Sequence, residues 1–254
     1  MESLKDKIVV VAGGTGNVGS FIVKELLKRQ ATVVVPSRSK DSLQQLNDII
    51  NHDLDKTSVE QLHTMVGNIG DPSTSKSLLN KIAKQVGQPD AAIASLGRFQ
   101  GAPSMIDVSV DTFCEVINDY LMAHFVTAQT FLKRFRERGK GQYVFINGPL
   151  ALSSPEGMGA GLVSSATAGQ QMMFKVMAQE LDDSPVTVTE LINFAYIRNH
   201  KTQPSSAIPG EATGVYASHL ASGDISDKHG RSIQLKSTEQ LAEEGITLEV
   251  SEAE

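Results

Sequence analysis

The stretch from Lys7 to Leu27 reads KIVVVAGGTGNVGSFIVKELL, and its hydrophobic period changes once, at the glycines. Lys7 to Ala12 is a short β-branched apolar run and reads as a strand. Val18, Ile22 and Leu26 then recur every four residues, giving the next segment the buried stripe of a helix. A strand joined by a tight turn to an amphipathic helix cannot bury its own apolar surface. It needs further units of the same kind beside it, so the opening of the chain points to a parallel sheet with helices on its faces.

The rest of the chain supplies those units. Ala31 to Val35 predicts a second strand, followed by a helix from Ser39 to about Ile50 and an overlapping polar stretch from Asn47 to Ser58. A third strand near Thr64 to Val66 precedes a helix from about Ser73 to Val86, and Ala91 to Ser95 makes a fourth strand. A long helical segment, Val110 to Arg138, leads through Gly139 and Gly141 to a fifth strand, Gln142 to Ile146. Beyond a Gly-, Ser- and Pro-rich loop from Gly148 to Gly161 come a helix, about Leu162 to Leu181, and a sixth strand, Val186 to Ile192. A short helix near Val215 to Ala221 and a last strand near Ser232 to Leu235 complete the pattern. This alternation predicts an α/β fold, a doubly wound parallel sheet (Rossmann fold) in three α/β/α layers, as a single domain over residues 1–254. Lys236 to Glu254 is rich in acids and poor in large apolar groups, and reads as an acidic C-terminal tail.

Composition narrows the function classes. No apolar run approaches the roughly 18 residues of a membrane span, so no membrane association is expected. The chain opens on a charged lead that runs directly into a strand, without the features of a secretory leader, and a cytoplasmic location is the expectation. A formal net charge of −6 argues against a nucleic-acid surface, which needs a concentrated Lys/Arg face. Cys114 is the only cysteine; with no clustered histidines beside it there is no metal-ligand spacing, and no structural metal is expected.

The loop GGTGNVG between the first strand and helix is the most informative motif. Gly13 suits the positive φ of the tight turn, Gly16 lets backbone approach a diphosphate, and Gly19 lets the helix pack against the sheet. The free N–H groups of a helix start then face an anion. Gly13, Thr15, Gly16, Asn17, Val18 and Gly19 are therefore the candidate diphosphate-binding residues of a dinucleotide site. The residues just after the second strand select the dinucleotide. An NAD site places an acid there to hold the ribose 2′-hydroxyl, whereas this chain reads Val35-Pro36-Ser37-Arg38-Ser39-Lys40. Arg38 offers a planar fork and Ser37 and Ser39 offer hydroxyls, all suited to a 2′-phosphate. NADP(H) is the expected cofactor.

Element order, length and these motifs together resemble the short-chain dehydrogenase/reductase family over roughly residues 5 to 235. The resemblance implies that Asn68 and Ile69 line the adenine and that Ser95 and Gly97, within Ala94-Ser95-Leu96-Gly97, lie beside the adenosine ribose. It implies hydride transfer between a nicotinamide and a small-molecule carbonyl or alcohol, with a tyrosine as acid and a lysine four residues later tuning it. Here that pair is missing: Ser164 stands at the tyrosine position and Ala168 at the lysine position. A serine hydroxyl is a far weaker acid than a phenol, and alanine supplies neither charge nor hydrogen bond. The family's catalytic serine falls at Asn147, which retains the capacity to hydrogen-bond a carbonyl. Two tyrosines are candidate substitutes for the acid. Tyr196 comes after the sixth strand at its C-terminal end, where ligands collect in open α/β sheets. Tyr120 lies on the long helix, with His124 one turn on. Tyr143 and Tyr216 read as core.

Two functions are implied, separated by what the cofactor is for: an NADP(H)-dependent oxidoreductase with a rearranged proton donor, or a non-catalytic NADP(H)-binding protein acting as a redox sensor or assembly partner. The two long helices carry Phe125, Phe131, Met172, Met173 and Met177 spread around them, more apolar surface than one-sided burial uses. In the resembling family these helices pair across a two-fold axis, so a homodimer or homotetramer is expected.

Overall fold

The computed structural model describes residues 3–102, 104–154, 157–194, 197–198, 208–222 and 226–248. Seven of its strands are β1 (Ile8–Ala12), β2 (Thr32–Ser37), β3 (Leu62–Val66), β4 (Ala91–Ala94), β5 (Gly141–Asn147), β6 (Val186–Asn193) and β9 (Ser232–Leu235). They form one parallel sheet in the order β3-β2-β1-β4-β5-β6-β9. The two halves wind outward from β1 and β4, so the strand order reverses there. Such a reversal opens a crevice beyond the carboxyl ends of the strands, where open α/β sheets take their ligands. A two-stranded parallel pair, β7 (Ile197–Arg198) and β8 (Ile208–Pro209), stands apart from the main sheet.

Alternation along the strands divides the core into two layers. Val9, Val11, Val33 and Val35 point to one face, where α1 (Asn17–Lys28), α2 (Lys40–Asp53) and α8 (Gly210–Leu220) cover them. Val10, Val34, Ala92, Tyr143 and Phe145 point to the other, beneath α4 (Ser75–Gln85), α6 (Ala123–Arg138) and α7 (Gly161–Gln179). Local chemistry sets the helix starts. The Ser39 hydroxyl accepts from the Ser42 N–H at the head of α2, Asp55 caps α3 (Lys56–Glu60), and Ser109 caps α5 (Val110–Ile117). Gly139, at φ +70°, ends α6 in the left-handed conformation that glycine adopts without strain.

The structure departs from the sequence expectations at three places. The segment from Val110 to Arg138 is not one uniform helix: a π turn, Asn118–Met122, separates α5 from α6. Periodicity misses such an inserted residue, since both flanks keep helical spacing, and π turns gather at functional sites. The late helix is longer than Val215 to Ala221, because Gly210, Ala212 and Gly214 join it, small residues that let it lie against α1. The stretch read as an acidic tail starts differently: α9 (Glu239–Glu243) forms, Leu241 and Ile246 are buried in the first core layer, and the Tyr216 hydroxyl donates to Glu244. Residues 249–254 lie outside the described ones.

The apolar residues of the long helices are sorted by the fold. Phe131 is fully buried, and Met173 and Met177 pack against the second layer. Phe125, Met172 and Val176 remain exposed on the outer surface of α6 and α7.

Candidate functional site

The crevice at the β1–β4 reversal holds a cavity of about 640 Å³. Four strand ends and one helix break build it. Gly13, Thr15 and Gly16 come from the turn after β1; Pro36, Ser37 and Arg38 from the end of β2; Gly67 to Pro72 from beyond β3. Ser95, Leu96, Gly97 and Arg98 come after β4, and Asn118, Asp119, Met122 and Ala123 belong to the π turn and its exit.

The glycine turn is shaped by close backbone approach. Gly13 sits at φ +82°, and a Cβ there would stand 2.0 Å from the Ser95 carbonyl oxygen, so the turn lies directly on the end of β4. A Cβ at Gly19 would stand 2.1 Å from the Gly13 carbonyl oxygen, which seats the first turn of α1 against the loop. Gly16, the residue at the head of α1, provides no capping side chain, and the first turn has no acid. The leading N–H groups and the positive end of the helix dipole are thus left for an anion in the crevice.

The sequence candidates separate into two groups. Gly13, Thr15, Gly16, Ser37, Arg38, Asn68, Ile69, Ser95 and Gly97 all line the cavity. Asn17, Val18, Gly19 and Ser39 do not: Asn17 and Gly19 start α1, Val18 packs against the core, and the Ser39 hydroxyl is engaged in capping α2. Within the cavity, Asn68 closes a turn by accepting from the Gly70 N–H at 3.0 Å, and Ile69 is buried.

Two lining groups carry charge that sequence reasoning had not singled out. Asp119 stands 3.7 Å from the Arg38 guanidinium and 3.7 Å from that of Arg98, and Arg98 also approaches Glu115 at 3.8 Å. Arg38 remains 71% exposed, so its fork is presented to the mouth of the crevice rather than tied down. The position of Arg98, one residue after Gly97, was the available signal. Asp119 had none, because only the π turn rotates it into the crevice.

The proposed catalytic residues behave differently. Tyr120 lies in the π turn with its ring against Gly97, where a Cβ would come within 2.2 Å of ring carbons. The ring is packed in an apolar cluster with Val116, Leu162, Val163 and Ala166. Burial pushes its hydroxyl up to about 12, away from the range of an effective acid near neutrality. His124 is fully buried on α6, 3.3 Å from the Leu96 carbonyl, with Nδ1 unpartnered. Desolvation pushes it down to about 4, against the opposing effect of that hydrogen bond. Asn147 turns its carboxamide inward. It donates to the Thr167 carbonyl at 3.2 Å and to Glu190 at 2.9 Å, and accepts from the Gly148 N–H at 2.9 Å. Glu190, itself fully buried, also accepts from Ser232 at 2.5 Å. Tyr196 lies outside the described residues. Ser164, on α7, has its hydroxyl buried without a partner, and Ala168 is exposed.

Residues 7–204 match the model of the short chain dehydrogenase family. The chain belongs to that family. Among its relatives, a ketoacyl reductase (HetN) of Nostoc is 27% identical over 190 residues, a match covering 74% of this chain and 63% of that protein. An uncharacterized oxidoreductase of Staphylococcus aureus is 30% identical over 193 residues, covering 75% of this chain and 78% of the relative. Solved short-chain dehydrogenase structures share the fold: one from Mycobacterium marinum superposes with a TM-score of 0.82 at 19% identity, covering 93% of this chain and 95% of that one. A gluconate 5-dehydrogenase from Burkholderia cenocepacia, solved in complex with NADP and tartrate, gives a TM-score of 0.79 at 14% identity, covering 92% of this chain and 95% of that one. This chain carries no lysine four residues after any of its tyrosines. Its four tyrosines, Tyr120, Tyr143, Tyr196 and Tyr216, are succeeded four residues on by His124, Asn147, His200 and Leu220.

Proposed function

We propose that this short-chain dehydrogenase binds NADP(H) through its glycine loop and Arg38, and that it reduces ordinary carbonyl compounds weakly or not at all. The observation that carries the second part is the apolar packing of Leu162, Val163 and Ala166 of α7 against Tyr120. That is the helix on which the family's acid and its lysine stand, and here Ser164 and Ala168 occupy the aligned positions. When bound, the cofactor would supply a hydride. The residues of this chain would hold the diphosphate on the backbone N–H groups at the head of α1 and the 2′-phosphate on Arg38. Loss of a positioned proton donor forfeits a factor of about 10² to 10⁴ in rate. The bound cofactor then serves a sensing or assembly role, in a cytoplasmic homodimer or homotetramer joined through the exposed face bearing Phe125, Met172 and Val176.

A second reading, an oxidoreductase with a rearranged proton donor, is favoured by the family itself and by relatives described as oxidoreductases. Tyr196 is its donor, because Tyr120 is committed to packing.

Titration with NADPH and NADH tests the cofactor. Charge-assisted hydrogen bonds of about 1.5–3 kcal/mol make NADPH roughly 10- to 150-fold the tighter ligand, and Arg38→Asp is expected to abolish that preference. Equal affinity of the unmutated protein for both cofactors overturns the assignment.

A further inference from the structure

Two arginines reach one carboxylate in the crevice from opposite sides of β1. Arg38 follows β2 and Arg98 follows β4, the two strands that flank β1 in the sheet. Asp119 lies between their guanidinium groups, with Oδ1 3.7 Å from Nη1 of Arg38 and Oδ2 3.7 Å from Nε of Arg98. Both separations exceed the roughly 2.7–2.9 Å of a charge-assisted hydrogen bond, so the attraction is Coulombic and no hydrogen bond breaks when the carboxylate leaves. The arginine side chains are 71% and 68% exposed and that of Asp119 30%, which leaves all three free to turn. The backbone beneath Asp119 is held more firmly, because the next residue, Tyr120, is buried against Gly97. Rotation of the Asp119 side chain is therefore enough to open the place between the two forks. Among the described residues, Glu115, 3.8 Å from Arg98, is the one further acid within ion-pair distance of either arginine.

Resting on the assignment of Arg38 to a ribose 2′-phosphate, we infer that Arg98 is a second ligand of that phosphate and that Asp119 is the anion it displaces. The carboxylate marks the point where two cations converge on a negative group. A phosphate monoester brings about 1.5 to 2 negative charges and three strong acceptor oxygens, against the single charge of Asp119, and takes both forks in its place. A ribose 2′-hydroxyl has no charge with which to do this, and Asp119 then stays between the arginines. Asp119 thus lowers the affinity for a phosphorylated ribose without altering that for an unphosphorylated one, and Arg98 raises the first alone. Together they set the size of the preference between the two dinucleotides. Neither stands on the stretch after β2 where that choice was read from the sequence.

Displacement of protein-bound NADPH, followed by its fluorescence, gives the affinities of NADP+ and NAD+, which differ only in the 2′-phosphate. The thermal midpoint of each variant without ligand controls for folding. Arg98→Gln is expected to weaken NADP+ about three- to tenfold and Asp119→Asn to strengthen it about two- to fivefold, the range for exposed, partly screened charges. NAD+ should move less than about twofold in both. Arg98→Lys keeps the charge without the planar fork and should lose less than Arg98→Gln. If the unmutated chain prefers NADP+ but Arg98→Gln leaves that preference unchanged, or Asp119→Asn fails to widen it, this inference is overturned while the assignment of Arg38 stands. If the unmutated chain binds NADP+ and NAD+ equally, or binds neither, the assignment itself falls.

Discussion

Gly97 and Tyr120 form the contact on which the site's geometry turns, and a double substitution measures it. Gly97 has φ +97°, and a Cβ there would stand 2.2 Å from two carbons of the Tyr120 ring and 2.6 Å from a third. Gly97→Ala therefore incurs two costs: roughly 1–2 kcal/mol for a side chain in the left-handed region, and about 1–3 kcal/mol for overpacking against a buried ring. The sum, about 2–5 kcal/mol, corresponds to a loss of roughly 4–20 °C in Tm for a chain of this size. Tyr120→Ala alone is expected to cost about 3–5 kcal/mol, as other aromatic truncations do in cores. In the double variant the Cβ occupies space the ring has left, so the overpacking component disappears and the backbone component stays. The double variant should therefore be about 1–3 kcal/mol more stable than the sum of the single effects implies. Urea denaturation of all four proteins gives the cycle. Additivity within about 0.5 kcal/mol would refute the packing of Tyr120 on Gly97 and return the tyrosine to candidacy as a proton donor.

Other expectations rest on individual groups. His124, pushed down to about 4 by burial, is neutral in the fold while the unfolded chain protonates it near 6.5. Its contribution is intact above that pH, is lost as pH falls from about 6.5 to 4, and amounts to about 3 kcal/mol; His124→Gln should flatten that part of the stability–pH curve, and identical acid slopes would contradict it. Glu190→Leu removes the acceptor of Asn147 and Ser232 and should cost about 2–4 kcal/mol in urea denaturation, with Glu190→Gln costing less than half; equal costs would show that shape alone matters there. Asp119→Asn takes away the carboxylate beside Arg38 and Arg98 and should tighten 2′,5′-ADP about two- to fivefold, whereas weaker binding would show that the carboxylate orients the arginines. Light scattering should find a particle larger than the 27.3 kDa chain, with Met172→Glu shifting it toward the monomer; a monomeric unmutated protein removes the oligomer proposal.

The sheet was legible because its code is short. A β-branched run such as Lys7 to Ala12 and a stripe such as Val18, Ile22 and Leu26 each act within one strand or one helix. The turn glycines were legible for a related reason, since Gly13 and Gly19 stand where no Cβ fits. The π turn was hidden, because one extra residue leaves the apolar spacing of its flanks unchanged, and with it the placement of Asp119 in the crevice was hidden too. Asn147 was misleading for a different reason. Its residue type suits a carbonyl ligand, but Glu190 and Thr167, 43 and 20 residues away along the chain, decide where the carboxamide points. The ordering of Leu241 and Ile246 likewise depends on distant partners, which a reading of local acidity in Lys236 to Glu254 does not register.

A cofactor held without a working proton relay is bound and not consumed, and NADPH absorbance reads this most directly. Absorbance of NADPH is monitored with excess protein and a panel of ketones and aldehydes, using the unmutated chain, Tyr196→Phe and Tyr120→Phe. The expected result is NADPH that is bound, as its fluorescence reports, and not consumed with any member of the panel. Robust consumption that one of the phenylalanine changes abolishes would contradict the claim and establish the oxidoreductase with a rearranged donor.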